Sequence, residues 1–582
     1  MLKQPRLKYR PFVAVPLSDR TWPDQNIEHP PIWASSCLRD GNQSIFEPMN
    51  IEKKTLFFDM LKKIGFKEIE VGFPSSSSHE YDFIRKLIEE KRVPNDVNIG
   101  AVTPAIKPLI HKTVESLKGA KQAIVHLYIA TSKQFRNKVF NQTKEEVLKT
   151  AVSSTKLIRN LTKAQPNTNW TLEFSPETFS QTEAVFARDV CNAVTKAWSP
   201  TAENKIILNL PATVEVCQPN QFADKIEWMS RNLVQRDSIV LSVHPHNDRG
   251  TAVAATEMAL LAGAERVEGC LLGNGERTGN VDLVTLALNM YTQGIHPNLD
   301  FSRLEEIKAL VETCTGILTH PRHPYAGDFV FTAFSGTHQA AIKKGMEAQK
   351  DSEPWDVPYL PLDPKDLGRT YDNIIRVNSQ SGKGGISYLL KENLKPEMPR
   401  RLQIEFSNIV QPVAEEKGGE ITAEQIWDIF KSEYIDDPSA TLRYVSHKTY
   451  QIENGNPQGI ELILKKEGQE IKLRGKGNGI IDATVNALNL PLGVHDYEQK
   501  SMGQGSRARA VSFLEMTVKG HAGTHFGVSL HEDTATSNIL AIISGVNRAI
   551  KQGKVELGEN FGSNCERGNN FHPSPERKFA LS

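Results

Sequence analysis

From about residue 30 to residue 296, short runs rich in β-branched and aromatic residues alternate with longer stretches in which apolar positions return every three or four residues. The runs at 32–38, 68–72, 98–102, 123–128, 170–174, 205–209, 238–243 and 266–271 read as strands. Between the first two, Asn50 is an N-cap residue and Glu52 a first-turn carboxylate. Leu56, Phe57, Met60, Leu61 and Ile64 then share one helical face, and Gly65 ends the helix. Eight such units in roughly 250 residues predict an α/β fold, a (β/α)₈ TIM barrel rather than an open doubly wound sheet.

After residue 297 the pattern changes. Residues 302–318 are amphipathic, 335–345 read as a capped helix start, 350–366 form a Pro- and Asp-rich connection, and 399–409 and 422–434 are helical. Gly382 to Gly385 read as a turn. From about 440, strands at 441–450 and 459–466, a turn at 475–479, a helix from Ile480, strands at 508–518 and 524–530 and a helix at 534–550 suggest a duplicated α+β unit. A pocket between its halves, without titratable clusters, suits binding better than catalysis. The organisation expected is an arm (1–29), a catalytic barrel (30–296), helical linker subdomains (297–438), a small regulatory domain (439–552) and a disordered tail (553–582).

Composition changes this picture little. With 582 residues, 39% hydrophobic, and 69 basic against 69 acidic residues, the chain has several domains and no electrostatic pull toward nucleic acid or anionic membrane. Six scattered cysteines without CxxC spacing indicate neither a disulfide framework nor a zinc knuckle and suit a reducing cytoplasm. No stretch has the length of a membrane span or a signal peptide, and Pro5, Pro11 and Pro16 make the first residues an extended arm.

Barrels of this kind carry their chemistry where the strands end. Here the ends supply Arg39 and Asp40, then His126 and Tyr128, then Glu173, Ser175 and Glu177, then Thr213, His244 and His246, and finally Gly273 to Asn280. Each has a plain structural reading: a rim ion pair for Arg39 and Asp40, a helix cap for Glu177, a core histidine for His126, a turn for Gly273 to Gly275. Gathered at successive strand ends, they describe an active site. His244 and His246, two apart on a strand, present both imidazoles to one face. With Asp40 and a neutral oxygen such as the Asn280 amide they form a mixed O/N set suited to Mg²⁺, Mn²⁺ or Zn²⁺, with positions left for substrate. Such a metal can chelate a 2-oxo acid and polarise its ketone, and Arg39 would stabilise the alkoxide, a contact worth about 3 kcal/mol elsewhere.

The strings Leu38-Arg-Asp-Gly-Asn-Gln43, Val71-Gly-Phe-Pro74, His244-Pro-His-Asn-Asp-Arg-Gly250 and Gly273-Asn-Gly-Glu-Arg-Thr-Gly-Asn280 resemble those of the 2-isopropylmalate synthases. These belong to a superfamily of metal-dependent Claisen enzymes with homocitrate and citramalate synthases and 3-hydroxy-3-methylglutaryl-CoA lyase. The resemblance runs from about 30 to about 550, and Arg369-Thr-Tyr-Asp with Arg376-Val-Asn-Ser-Gln-Ser-Gly-Lys-Gly-Gly385 resembles the long form. It implies condensation of acetyl-CoA with 3-methyl-2-oxobutanoate and water to give 2-isopropylmalate and CoA, the committed step toward leucine.

The resemblance implies Asp40, His244, His246 and Asn280 as metal ligands, with Mg²⁺ ahead of Mn²⁺ or Zn²⁺ and K⁺ a candidate activator. It implies Arg39, His126, Ser175 and Thr213 as contacts to the 2-oxo acid, Glu177 and Glu276 as groups ordering the site, and His338 as the base, with Tyr371 close to the same mouth. It further implies a homodimer in which the linker reaches over the partner's barrel, and leucine as effector around Gly477, Gly479, Ile480 and Asp482. Two departures stand out: Cys37 replaces an acidic or small polar residue, and Ser76-Ser-Ser-His79 replaces an Ala-Ser-Gln type of sequence. Alternatives are the same chemistry on pyruvate or 2-oxoglutarate, a metal-dependent hydrolase, which would need further His or carboxylated Lys ligands, and a silent leucine sensor, which would have no need of the charged set.

Overall fold

The computed structural model describes residues 12–369, 386, 390, 398–417, 421–452, 458–502, 508–558, 561 and 562, so Tyr371, the turn at 382–385 and the tail from 563 lie outside the described residues. The chain divides into two compact units, one of residues up to 331 with 361–370, the other of 332–360 with 371 onward.

In the first unit, strands β1 (Ile32–Ser35), β2 (Glu68–Gly72), β3 (Asn98–Pro104), β4 (Gln122–Ala130), β5 (Asn169–Glu177), β6 (Ile206–Ala212), β7 (Ile239–Pro245) and β8 (Arg266–Gly269) close into a barrel in sequence order. All neighbours are parallel, and β8 returns to β1 with Ile32 beside Arg266. The predicted barrel is borne out, with ends shifted by a few residues. β1 stops at Ser35, because the Ser36 carbonyl accepts from both Arg39 and Gly41 at 3.1 Å and curls the chain.

The helix Ile51–Ile64 forms for the reasons expected: the Asn50 side chain accepts from the Lys53 N–H at 2.8 Å, and Gly65 takes φ 112°. One residue differs. Leu56 is 57% exposed, and the helix buries Phe58 beside Phe57, Met60, Leu61 and Ile64 instead. The arm is not free: Arg20 and the Trp22 indole both donate to Asp224 at 2.8 Å, and the Thr21 N–H to Glu227 at 2.9 Å, on the helix Pro219–Asn232.

The second unit contains the helices Gly336–Ala348, Arg400–Lys417 and Ala423–Phe430 and two three-stranded antiparallel sheets. Ser335 precedes the first of these helices without a side-chain cap, contrary to the capped start expected. The sheets are β9 (Leu442–Gln451), β10 (Gln458–Lys466) and β11 (Gln469–Gly477), then β12 (Leu492–Met502), β13 (Arg509–Val518) and β14 (Thr524–His531). Each is followed by a helix, Ile480–Leu488 and Thr534–Lys551, so the duplication is real.

The turn expected at 475–479 is mostly strand, with β11 running through Gly475 and Gly477. Both glycines lie where the following helix touches the sheet, and a Cβ on Gly475 would run into the backbone of Ala483 and Ala487. Gly527 on β14 meets Ala541 and Gly545 of the second helix in the same way. One face of β13 packs Leu514 and Met516 against Ile539 and Ile542, and its other face packs Val511 and Phe513 with Phe406, Phe430 and Tyr434. Val555 is buried with Val518 and Ala549, so ordered packing continues past the last helix. Among the described residues no helix is long and apolar enough to cross a membrane.

Candidate active site

At the C-terminal ends of the barrel strands, Asp40, His244 and His246 converge, all three buried, with one donor atom from each lying within 4.8 Å of the others. Asp40 Oδ2 is 3.7 Å from His244 Nε2 and 3.8 Å from His246 Nε2. Asn280 reaches them because the loop after β8 doubles back. Gly279 presses against the Gly273 carbonyl where no Cβ fits, and His246 and Asn280 pair as an isolated bridge. Asn280 Nδ2 donates to Asp40 Oδ2 at 2.6 Å.

Asn280 Oδ1 and His246 Nδ1 are buried without a hydrogen-bond partner among the described residues. An orphaned Asn280 acceptor beside a carboxylate and two imidazoles fits a divalent cation. The His244 Nδ1–H donates to Glu268 Oε1 at 2.8 Å, which leaves Nε2 as its ligand atom. Burial alone would lower the His244 pKa, but Asp40 and Glu268 outweigh it and raise it to about 9. Burial and the neighbouring His244 push His246 down to about 4.

Arg39 organises the floor. Its guanidinium donates to Glu70 at 2.6 Å, to Asp40 at 2.7 Å and to Glu268 at 3.0 Å. Burial works against the Asp40 carboxylate, yet Arg39 and His244 hold it well below its usual range. His126 sits between Glu70 Oε1 and Ser175 Oγ, each at 2.7 Å. Deeper, Arg266 donates to both oxygens of Glu173 at 3.0 and 3.1 Å, to Glu68 at 2.6 Å, to Ser242 at 2.9 Å and to Glu268 at 3.3 Å.

These inner charges, Glu70, Glu268 and Arg266, were missed in the sequence. Their signal is alternation: Glu68-Ile-Glu70, Glu173-Phe-Ser175 and Arg266-Val-Glu268 put charged residues on one strand face, which in a closed barrel points inward.

A cavity of about 320 Å³ opens over this floor, lined by Arg39, Asp40, His126, Ser175, Glu177, Thr213, His244, His246 and Glu276. Nine of the expected site residues therefore meet in one place, joined by Gln43, Asn209 and Arg277, which had not been singled out. Burial raises the Glu177 carboxyl, against the pull of Arg39. The rim loops are tied together. Lys54, itself buried, donates to the Leu38 carbonyl at 3.1 Å and pairs with Glu80, whose other oxygen accepts from the Phe73 N–H at 3.0 Å. The Arg277 guanidinium holds Asp248 at 2.7 Å, and Asp248 accepts from the Glu215 N–H at 2.9 Å.

Other expected residues lie in the second unit. His338 is exposed on the first turn of its helix, its ring stacked on Tyr359 with centroids 4.0 Å apart. Gly477, Gly479, Ile480 and Asp482 sit together where β11 enters its helix, and Asp482 accepts the Asn478 N–H at 2.9 Å.

Comparison with known proteins agrees along most of the chain. Residues 30–311 match the HMGL-like family, 328–391 the alpha-isopropylmalate synthase post-catalytic domain-like family, and 420–550 the LeuA allosteric (dimerisation) domain. The 2-isopropylmalate synthase of Parvibaculum lavamentivorans is 56% identical over 549 residues, 94% of this chain and 97% of that protein. Those of Ralstonia pickettii and Pseudomonas savastanoi pv. phaseolicola are 55% and 52% identical, over 94% and 95% of this chain and 97% and 99% of theirs. Identity above one half, sustained from the barrel through the allosteric domain, means that the chain belongs to the 2-isopropylmalate synthase family.

Proposed function

We propose that the cavity condenses acetyl-CoA with 3-methyl-2-oxobutanoate and water, releasing CoA and 2-isopropylmalate for leucine biosynthesis. The observation that carries this is Arg39 and the Asp40, His244 and His246 cluster facing one cavity. Asp40, His244, His246 and Asn280 would hold the divalent cation, with Mg²⁺ preferred over Mn²⁺ or Zn²⁺, and K⁺ would act as an activator. When bound, the cation chelates the 2-oxo acid and polarises its ketone.

The protein's own groups do the rest. Ser175 and Thr213 hold the 2-oxo acid. The Thr213 Oγ accepts from the Thr178 N–H at 2.9 Å and keeps its own proton for the substrate. His338, an exposed imidazole, takes a proton from the acetyl methyl, assisted by Tyr371. The resulting carbon nucleophile attacks the ketone, and the buried guanidinium of Arg39, already fixed by three carboxylates, receives the charge growing on the oxygen. Glu177 and Glu276 order the cavity wall, and water then cleaves the thioester to a carboxylic acid and CoA.

The C-terminal domain binds leucine around Gly477, Gly479, Ile480 and Asp482 in a homodimer, a reading supported by the match to an allosteric dimerisation family. Cytoplasmic residence fits the free thiols of Cys37, Cys191, Cys217, Cys270 and Cys314. The test is CoA release from acetyl-CoA across a panel of 2-oxo acids, with Mg²⁺ or Mn²⁺ and with or without leucine. Fastest turnover with 3-methyl-2-oxobutanoate, lost in His244→Ala and reduced by leucine, is expected. No CoA release with any of the 2-oxo acids would refute the reading.

A further inference from the structure

His338 lies on the first turn of the helix Gly336–Ala348, exposed, with neither ring nitrogen hydrogen-bonded among the described residues. An imidazole held only by its own side-chain torsions samples several rotamers, whereas a general base has to keep one. The ring of Tyr359 supplies the missing constraint. It lies on the imidazole face, with centroids 4.0 Å apart and planes 27° apart, and leaves the edge that carries both nitrogens open.

Tyr359 is placed there at a cost. Its backbone has φ 66°, a left-handed conformation that glycine adopts easily and an aromatic residue does not. The residue is 61% exposed, so burial of the ring does not explain the choice. The segment that carries it is pinned along the same helix. Gln349, just past the helix, accepts the Asp356 N–H through Oε1 at 3.0 Å and donates from Nε2 to the Pro354 carbonyl at 3.1 Å. Trp355 Nε1 donates to the Leu360 carbonyl at 2.8 Å, and Val357 and Leu360 are buried. Pro358 fits against Gly345, where a Cβ would come within 2.6 Å of the proline ring. Gly345 is two turns beyond His338 on the same helix face, so a chain returning past it delivers the next residue, Tyr359, toward the imidazole.

We propose that Tyr359 is a positioning residue that holds the His338 imidazole in the rotamer from which it takes the acetyl proton. This rests on the reading of His338 as the base. The test compares Tyr359→Gly, Tyr359→Phe, His338→Ala and the double variant of Tyr359→Gly with His338→Ala. Each is followed by steady-state CoA release, with acetyl-CoA and with trideuteroacetyl-CoA, and by thermal unfolding.

Tyr359→Gly removes the ring and relieves the backbone, so its melting temperature does not fall. Its kcat drops about tenfold, part of the roughly 10²–10⁴-fold that a general base contributes, while KM for the 2-oxo acid stays within about twofold. The deuterium isotope effect rises, because proton removal becomes slower relative to the other steps. Tyr359→Phe keeps the ring and recovers most of the loss. In the His338→Ala background the glycine substitution has no further effect, because Tyr359 acts through His338. An unchanged kcat in Tyr359→Gly, a loss that tracks a lowered melting temperature, a loss of the same size in Tyr359→Phe, or effects that multiply in the double variant would overturn the inference alone. Wild-type turnover in His338→Ala would remove His338 as the base and the inference with it, and an inactive wild type would overturn the inference and the proposed function together.

Discussion

Replacing Arg266 by Met should cost the barrel about 3–5 kcal/mol, the usual effect of removing one partner from a buried charge network. The Arg266 side chain is 3% exposed and touches three carboxylates, Glu68, Glu173 and Glu268. Methionine fills most of the volume but leaves all three without their shared cation, and a domain stable by about 5–15 kcal/mol would lose a fifth or more of its margin.

The structure also fixes how the loss varies with pH. Burial pushes the Glu173 carboxyl up to about 8 even with Arg266 against it, compared with 4.5 in an unfolded chain. A carboxyl held up in the folded state contributes fully below about 4.5 and loses that contribution as pH rises through about 8. Without Arg266 the folded value climbs further, so the variant goes on losing about 1.4 kcal/mol per pH unit where the wild type has levelled off. Urea unfolding followed by tryptophan fluorescence reports this unit through Trp22, Trp33, Trp170, Trp198 and Trp228. The midpoint of Arg266→Met should fall well below wild type at pH 7, and the gap should widen from pH 8 to 9. A gap under about 1 kcal/mol, or one that narrows with rising pH, would refute the argument that the network is held by this cation.

Three further outcomes follow. Lys54→Met frees the Leu38 carbonyl and Glu80 at the base of the Arg39 and Asp40 turn, and should weaken Mn²⁺ binding, measured by electron spin resonance, by about tenfold. Gly72→Ala puts a Cβ into the Glu80 carboxylate and should destabilise by about 2–4 kcal/mol in the same urea assay; a neutral substitution would show that the clamp between the first two loops is slack. In the metal-free protein His244 titrates near 9, so cation binding at neutral pH must expel its proton. Affinity should rise about tenfold per unit between pH 6 and 8, with close to one proton released in calorimetry across buffers of different ionisation heat.

The barrel and its metal-type cluster were legible because they are local. Alternation places His244 beside His246, and turn chemistry places Arg39 and Asp40 at a strand end. The inner network was not, because Arg266 gains its meaning from Glu173 and Glu68, 93 and 198 residues away, and only barrel closure brings them together. Leu56 fits a helical stripe in sequence yet sits on its flank, since the width of a buried face depends on the neighbouring helices. Gly475 and Gly477 looked like a turn because two glycines so close usually make one, whereas here they let a helix lie on a strand. Tyr359 gave no signal at all, since a tyrosine in a Pro-rich connection becomes telling only once its ring is seen on His338.

That backbone contact between helix and sheet occurs in both halves of the small domain, at Gly475 against Ala483 and Ala487 and at Gly527 against Ala541 and Gly545. Where two elements meet through side chains, a push on one is partly absorbed as rotamers shift. Here each helix also bears directly on a strand backbone, so part of any push on the helix reaches the sheet without passing through a side chain.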